Sequence, residues 1–154
     1  MAFDKKDIAI LEELQKDFRR SFTELSGVLG TSIDTARKRF NKLKERKIFN
    51  PGARMRTREL GYPLVVDVKI KLKTYRGKEK LIKFLKSHPR VTELFSIAGN
   101  YDFSAAIIAK DHADLGEITA NIRKEFEGYI GEWVESLTTA VHKFEEYDLE
   151  SLLE

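Results

Sequence analysis

The chain has 154 residues, 42% of them apolar and none of them cysteine, enough for one ordinary domain or two small ones. The missing thiols exclude disulfides, thiolate zinc sites and cysteine nucleophiles. Formal net charge is only +3, but it is unevenly spread: before Pro63 there are 15 Lys/Arg against 9 Asp/Glu, a balance of +6, and from there on 13 against 16, a balance of −3. That asymmetry suits a basic module for a polyanion joined to a near-neutral module with another task.

Ile8, Leu11, Leu14 and Phe18 recur at helical spacing behind Asp7, which predicts a first amphipathic helix with an acidic cap, ending near Arg19 and Arg20. Ser21 and Glu24 fit a capping box, so a second helix is expected with Phe22, Leu25, Val28 and Leu29 inward until Gly30 stops it. A third helix follows within the stretch Thr31 to Lys47. Ser32 caps it, and Ile33, Ala36, Phe40 and Leu43 form its apolar stripe. At 100° per residue, Asp34, Lys38, Asn41 and Glu45 point away from that stripe, with Thr35 and Lys42 on one flank and Arg37 and Lys44 on the other. Three short helices with a tight turn before a basic third one make a helix-turn-helix unit over residues 1–48. In such a unit Asp34, Thr35, Lys38, Asn41 and Lys42 can approach base edges or adjacent backbone. Arg37, Arg39 and Lys44 are placed for phosphates.

Residues 49–63 read as a linker containing two prolines and two glycines. Arg54, Arg56 and Arg58 alternate there as on one face of an extended strand, either to touch phosphates or to pair with acids. From Leu64 the period changes to two, with Leu64, Val66, Val68, Ile70 and Leu72 apolar, which predicts a half-buried strand. A helix from Lys78 to His88, strands from Val91 to Ala98 and Phe103 to Ala109, a helix behind Asp111, and a last strand from Trp133 to about Phe144 complete the order strand, helix, strand, strand, helix, strand. The fold class is therefore α+β, with the helix-turn-helix domain followed by a ferredoxin-like βαββαβ domain over residues 64–154. One sheet face is left bare, and dimerisation through it is expected. The tail Glu145 to Glu154 suits a short helix or a frayed end. No apolar run of 18 residues occurs, and a soluble, cytoplasmic protein with no membrane partner is expected.

Asp7 to Leu11, Thr23 to Leu25, Ser32 with Arg37, Arg39 and Leu43, Leu60 to Pro63, and Gly99 to Asp102 occur in an order and spacing that resembles the leucine-responsive regulatory protein/AsnC family of transcription regulators. The resemblance covers nearly the whole chain. It implies a winged or wing-like helix-turn-helix head on double-stranded DNA, and a ferredoxin-like domain of the type called RAM. That domain makes homodimers, assembles them into tetramers or octamers, and holds a small effector, commonly an amino acid, between dimers. The DNA-binding residues so implied are Ser32, Asp34, Thr35, Arg37, Lys38, Arg39, Asn41 and Lys42. The effector residues implied are Gly99, Asn100, Tyr101 and Asp102, with Ser136, Thr138 and Thr139 as wall residues. A zwitterion needs an acceptor for its ammonium, which Asp102 offers, and N–H donors for its carboxylate, which a glycine turn offers. Many relatives carry a charged residue where this chain has Asn100, and the same four residues also suit a plain hairpin bend.

Neither catalytic residues, cofactor nor metal is expected. Two other readings compete: a DNA-wrapping architectural protein without effector, and an enzyme resembling siroheme decarboxylases, which share the two-domain layout. His88, His112 and His142 lack metal-ligand spacing, and a basic third helix has no use in such an enzyme.

Overall fold

A computed structural model describes residues 3–152 of the chain. Its elements are α1 (Lys5–Lys16), α2 (Phe22–Leu29), α3 (Ile33–Glu45), β1 (Leu64–Leu72), α4 (Lys78–Ser87), β2 (Val91–Ser96), β3 (Phe103–Ala109), α5 (His112–Glu125), β4 (Ile130–Leu137) and α6 (Leu149–Leu152). They fall into two compact units, one running from the N-terminus to Arg54 and resuming at His142, the other running from Met55 to Val141.

The first unit is the three-helix head. Ile10, Leu11 and Leu14 of α1, Leu25 and Leu29 of α2, and Ala36 and Leu43 of α3 form its core, with Phe22, Phe40, Phe49 and Leu149 packed against it. The cap of α1 is Asp4 rather than Asp7. Asp7 instead occupies the third helical position, where its carboxylate completes the capping box and is buried at 6% exposure. The helix stops at Lys16, short of Arg19, because Asp17 turns to extended backbone and its carboxylate accepts the Arg19 N–H at 2.9 Å. Ser21 and Glu24 form the expected box at the start of α2. Gly30 then takes φ +57, a left-handed conformation that costs a side-chain-bearing residue about 1–2 kcal/mol, and lets Ser32 cap α3 two residues later. Val28 and Ile33 were expected inward and are 55% and 42% exposed; a head of three short helices cannot cover the whole width of each apolar stripe.

No strand forms in residues 49–63. Arg56 to Tyr62 instead closes into turns, with Glu59 N–H donating to Arg56 O and Tyr62 N–H to Thr57 O. The alternating arginines therefore do not share one extended face. Arg54 is engaged elsewhere, its guanidinium donating to Phe144 O at 3.0 Å and meeting Glu145 at 3.1 Å.

The second unit is a four-stranded antiparallel sheet in the order β2-β3-β1-β4. Val66, Val68, Ile70 and Leu72 of β1 and Phe103, Ile107 and Ala109 of β3 meet Leu81 and Leu85 of α4 and Ile118 and Ile122 of α5 in one core. Both helices thus lie on one sheet face, as the alternation of β1 requires. β4 spans Ile130–Leu137 instead of reaching Phe144, because its partner runs out: Val66 pairs Leu137, and Thr138 N–H makes the last bond to Val65 O. Residues after Val141 then belong with the head rather than with a domain running to 154; residues 153–154 of the expected tail lie outside the described residues.

Candidate nucleic-acid interface and ligand turn

The solvent side of α3 is built by its capping and its stripe. Ser32 Oγ accepts the Thr35 N–H at 3.2 Å and lies 2.9 Å from Thr35 Oγ1, so these two hydroxyls hold the helix start. Asp34 pairs with Arg37 one turn on at 3.3 Å, and the Arg37 guanidinium also lies 5.4 Å from the centre of the Phe22 ring. The carboxylate and the aromatic ring hold this arginine in place without burying it. Lys38, Asn41 and Lys42 are exposed, and their side chains make no hydrogen bond or ion pair among the described residues. They form the free polar edge of the helix.

Arg39 stands apart. Its Nη1 donates to Asp4 at 2.7 Å and to Asp7 at 2.8 Å, tying α3 to the capping box of α1. The two carboxylates hold the guanidinium pKa above its ordinary value. Asp4 is in turn held below the carboxylate range, first by the N–H of Asp7 and then by Arg39. The expected phosphate ligand Arg39 is thus an internal clamp, and the sign missed in the sequence was the pair of acids at positions 4 and 7.

Residues 97–102 join β2 to β3. Ile97 N–H donates to Asp102 O at 3.0 Å and Asp102 N–H to Ile70 O at 2.9 Å, which fastens the turn to the end of β1. Gly99 sits at φ +138, a conformation open to glycine and rarely to other residues. Gly99 and Asn100 are exposed and Tyr101 half-buried. The N–H groups of Ala98, Gly99, Asn100 and Tyr101 meet no acceptor among the described residues. Asp102 is already engaged: one carboxylate oxygen accepts Leu72 N–H and the other accepts the Tyr75 hydroxyl, both at 2.8 Å. These bonds, with Lys71 and Lys78 nearby, hold Asp102 below its ordinary pKa and raise that of Tyr75. About four lone-pair sites exist on a carboxylate, so two remain for a ligand.

Ser136 and Thr138 do not join this turn. Ser136 pairs Asp67 on β1, on the sheet face away from the helices, whereas Asp102 follows the pairing of Ile70 with Phe103. Four residues along and two strands across, the separation is roughly 13 Å by 10 Å. Beside Ser136 the bare face carries a chain of contacts, Lys69 Nζ to Ser104 Oγ and Ser104 Oγ to Asp67, each 2.8 Å, among the apolar Val65, Phe95 and Val134. The three histidines are scattered: His88 ends α4, His112 opens α5 and His142 follows β4. Burial, and secondarily Arg90, lowers the His88 pKa.

An AsnC-type helix-turn-helix domain is recognised at residues 3–44 and an Lrp/AsnC ligand-binding domain at residues 64–129. The HTH-type transcriptional regulator LrpA of Pyrococcus abyssi is 34% identical over 126 residues, covering 81% of this chain and 89% of that protein. The chain belongs to the Lrp/AsnC family. It is a helix-turn-helix transcriptional regulator with a ligand-binding domain. The regulatory protein AsnC of Haemophilus influenzae is 31% identical over 76% of the chain and 79% of its own length. Among solved structures, a transcriptional regulator of Neisseria meningitidis in complex with L-Met has a TM-score of 0.88 at 20% identity, covering 99% of this chain and all of that one. AsnC of E. coli has 0.84 at 22%, covering 96% and 99%. At such identities the structural likeness speaks for the fold. No helix among the described residues is long and apolar enough to cross a membrane.

Proposed function

We propose that this Lrp/AsnC regulator reads double-stranded DNA through the Lys38, Asn41 and Lys42 edge of α3, with Arg37 on a flanking phosphate, and works in the cytoplasm. The observation that carries this reading is that those three side chains are exposed and unpartnered on a capped helix. Asn41 has the two-point donor and acceptor pattern that suits adenine, and the lysines suit guanine or phosphate. Two copies pair through the bare sheet face, whose Asp67–Ser104–Lys69 chain of contacts sits among apolar side chains, and these dimers assemble further to tetramers or octamers. The paired heads then meet half-sites about one helical turn apart, roughly 34 Å. A small molecule at the turn 97–102 adjusts the affinity. The L-Met bound to the Neisseria meningitidis protein makes an amino acid the first candidate, with its carboxylate on the free N–H groups and its ammonium on the remaining acceptor capacity of Asp102.

Gel retardation with the double variant Arg37→Ala, Lys38→Ala tests the DNA reading. Affinity should fall at least about tenfold and the salt dependence should flatten by roughly one to two phosphates, according to whether Lys38 meets guanine or phosphate; unchanged retardation on every duplex would sink it. A large preference for promoter fragments over random DNA at fixed salt separates a regulator from an architectural wrapper. A thermal-shift screen of the amino acids tests the effector, since only a ligand of the folded state raises the melting temperature.

A further inference from the structure

The chain leaves the head once and comes back to it. After β4 ends at Leu137 and Thr138 bonds Val65 O, only six steps along the chain separate that anchor from Phe144, whose carbonyl accepts from Arg54 of the head. Three fastenings then follow along the returning segment. The Arg54 guanidinium lies over the Phe144 ring at 5.1 Å and meets Glu145. The Gln15 side-chain amide of α1 makes a two-way bond with the Tyr147 backbone, donating to its carbonyl at 3.0 Å and accepting its N–H at 2.9 Å. Leu149 packs against the core of the three helices.

The fastening is specific but light. The Arg54–Glu145 pair is more than half exposed at both ends, where ion pairs contribute little. Beneath the segment runs a crevice of about 500 Å³ between Leu14, Phe18, Ile48, Tyr147 and Leu149, so the segment lies on the head without sealing against it. Regions with few buried apolar contacts open at low free-energy cost.

The geometry points to residues 142–152 as a releasable strap, a second and shorter covalent tether that limits how far the DNA-reading head can range. Six steps span at most roughly 21 Å. The forward connection from Arg54 to Leu64 has ten steps and is partly consumed in turns. With the strap latched, the head is held by both crossings. With it released, the head is held by the linker alone, and the effective concentration of the second head at its half-site becomes broader and flatter in distance. The strap issues from β4, the strand that carries Ser136, so a change in pairing of that strand reaches the head through it. This role rests on the proposed DNA reading by paired heads.

The test uses the full chain, the point variant Tyr147→Pro, which removes the N–H that Gln15 accepts, and a variant ending at Val141. Hydrogen exchange in the three α1–α3 helices checks that the head stays folded, and loss of NOE contacts between the Leu149 methyls and the three-helix core reports release in the point variant. The probe is a duplex enriched in vitro on the wild-type protein, used as selected and with two base pairs inserted between half-sites, a rotation of about 70°. The wild type should lose about tenfold or more in affinity on insertion, and both released variants less than about threefold. An equal loss in all three proteins overturns the strap, and so does unfolding of the head in both variants, which would make the segment indispensable core. A wild type that retards no duplex overturns the DNA reading and the strap's role with it.

Discussion

Arg39→Ala separates a clamp from a phosphate ligand. In the folded head the Arg39 side chain is 28% exposed and bonded to the side chains of Asp7, 8% exposed, and Asp4, 54% exposed. Removing one partner of a fully buried pair costs about 3–5 kcal/mol, because the other charge is stranded. Water reaches Asp4 and part of Arg39, so the cost here is smaller, about 2 kcal/mol for stranding Asp7 and loosening the α1 cap. For a head of this size each kcal/mol moves the midpoint by about 4–8 °C, which gives a fall of roughly 10 °C in thermal unfolding followed by circular dichroism. A cycle with Asp7→Ala should return a coupling of about 1–2 kcal/mol, since the two substitutions remove one shared interaction. DNA binding below the new midpoint should keep its salt slope. If instead Arg39→Ala leaves the midpoint in place and lowers the salt slope by about one phosphate, the internal clamp is refuted and Arg39 belongs with Lys38.

Three further outcomes follow from the same contacts. Asp4 and Glu24 have folded pKa values below their ordinary ones, the first through the Asp7 N–H and Arg39, the second through Ser21 and Arg20. Such groups add stability above the unfolded pKa of about 4, and that stability is lost as pH falls through the lowered folded values. Midpoints measured from about pH 6 down to about pH 2.5 should therefore drop mainly below 4, and less steeply in Arg39→Ala. Gly77→Ala should destabilise the second unit by about 1–3 kcal/mol, because a Cβ there would run into the Tyr129 ring; denaturant midpoints should show it, with partial recovery on adding Tyr129→Ala. Tyr75→Phe removes the O–H that Asp102 accepts, so the Asp102 carboxyl should move back toward its ordinary range in a carbon-detected NMR titration. An unmoved Asp102 would mean the Leu72 N–H alone holds it down.

Local chemistry was legible where one short-range rule decides the outcome. The Ser21 and Glu24 box, the Ser32 and Asp111 caps, and the period-two run of β1 each fold as the residues indicate, because a cap or an alternation needs only its neighbours. The misses depend on distant partners. Asp7 could cap α1 as well as Asp4 could, and only the arrival of Arg39 from α3 shows why it turns inward. The end of β4 depends on where β1 begins, and the place of Phe144 and Tyr147 depends on Arg54 and Gln15. In the candidate interface, Lys38, Asn41 and Lys42 were legible because helical phase alone puts them in solvent. Arg39 was not, since phase places it on a flank and cannot say which neighbour it meets. Ser136 and Thr138 were paired with the turn by resemblance, while the register separates them within one chain.

That separation carries a consequence for how a ligand would act. The turn offers free N–H groups from Ala98 to Tyr101 and a carboxylate with half its capacity spent, yet it is an exposed bend at the sheet end, open to water. A zwitterion held there by one copy alone competes with water at each donor. Walls from a second copy would exclude that water and strengthen every polar contact. Ligand binding at the turn should therefore be linked to assembly, and the linkage must run both ways: a ligand that favours the assembled form raises its population, and assembly tightens the ligand. Calorimetric titration at protein concentrations spanning about two decades, with sedimentation on the same samples, measures both sides. Apparent affinity should rise with protein concentration, and saturating ligand should shift sedimentation toward the larger species. An affinity independent of protein concentration across the dissociation range, with sedimentation unmoved, would place the whole site within one chain and refute the shared-wall reading.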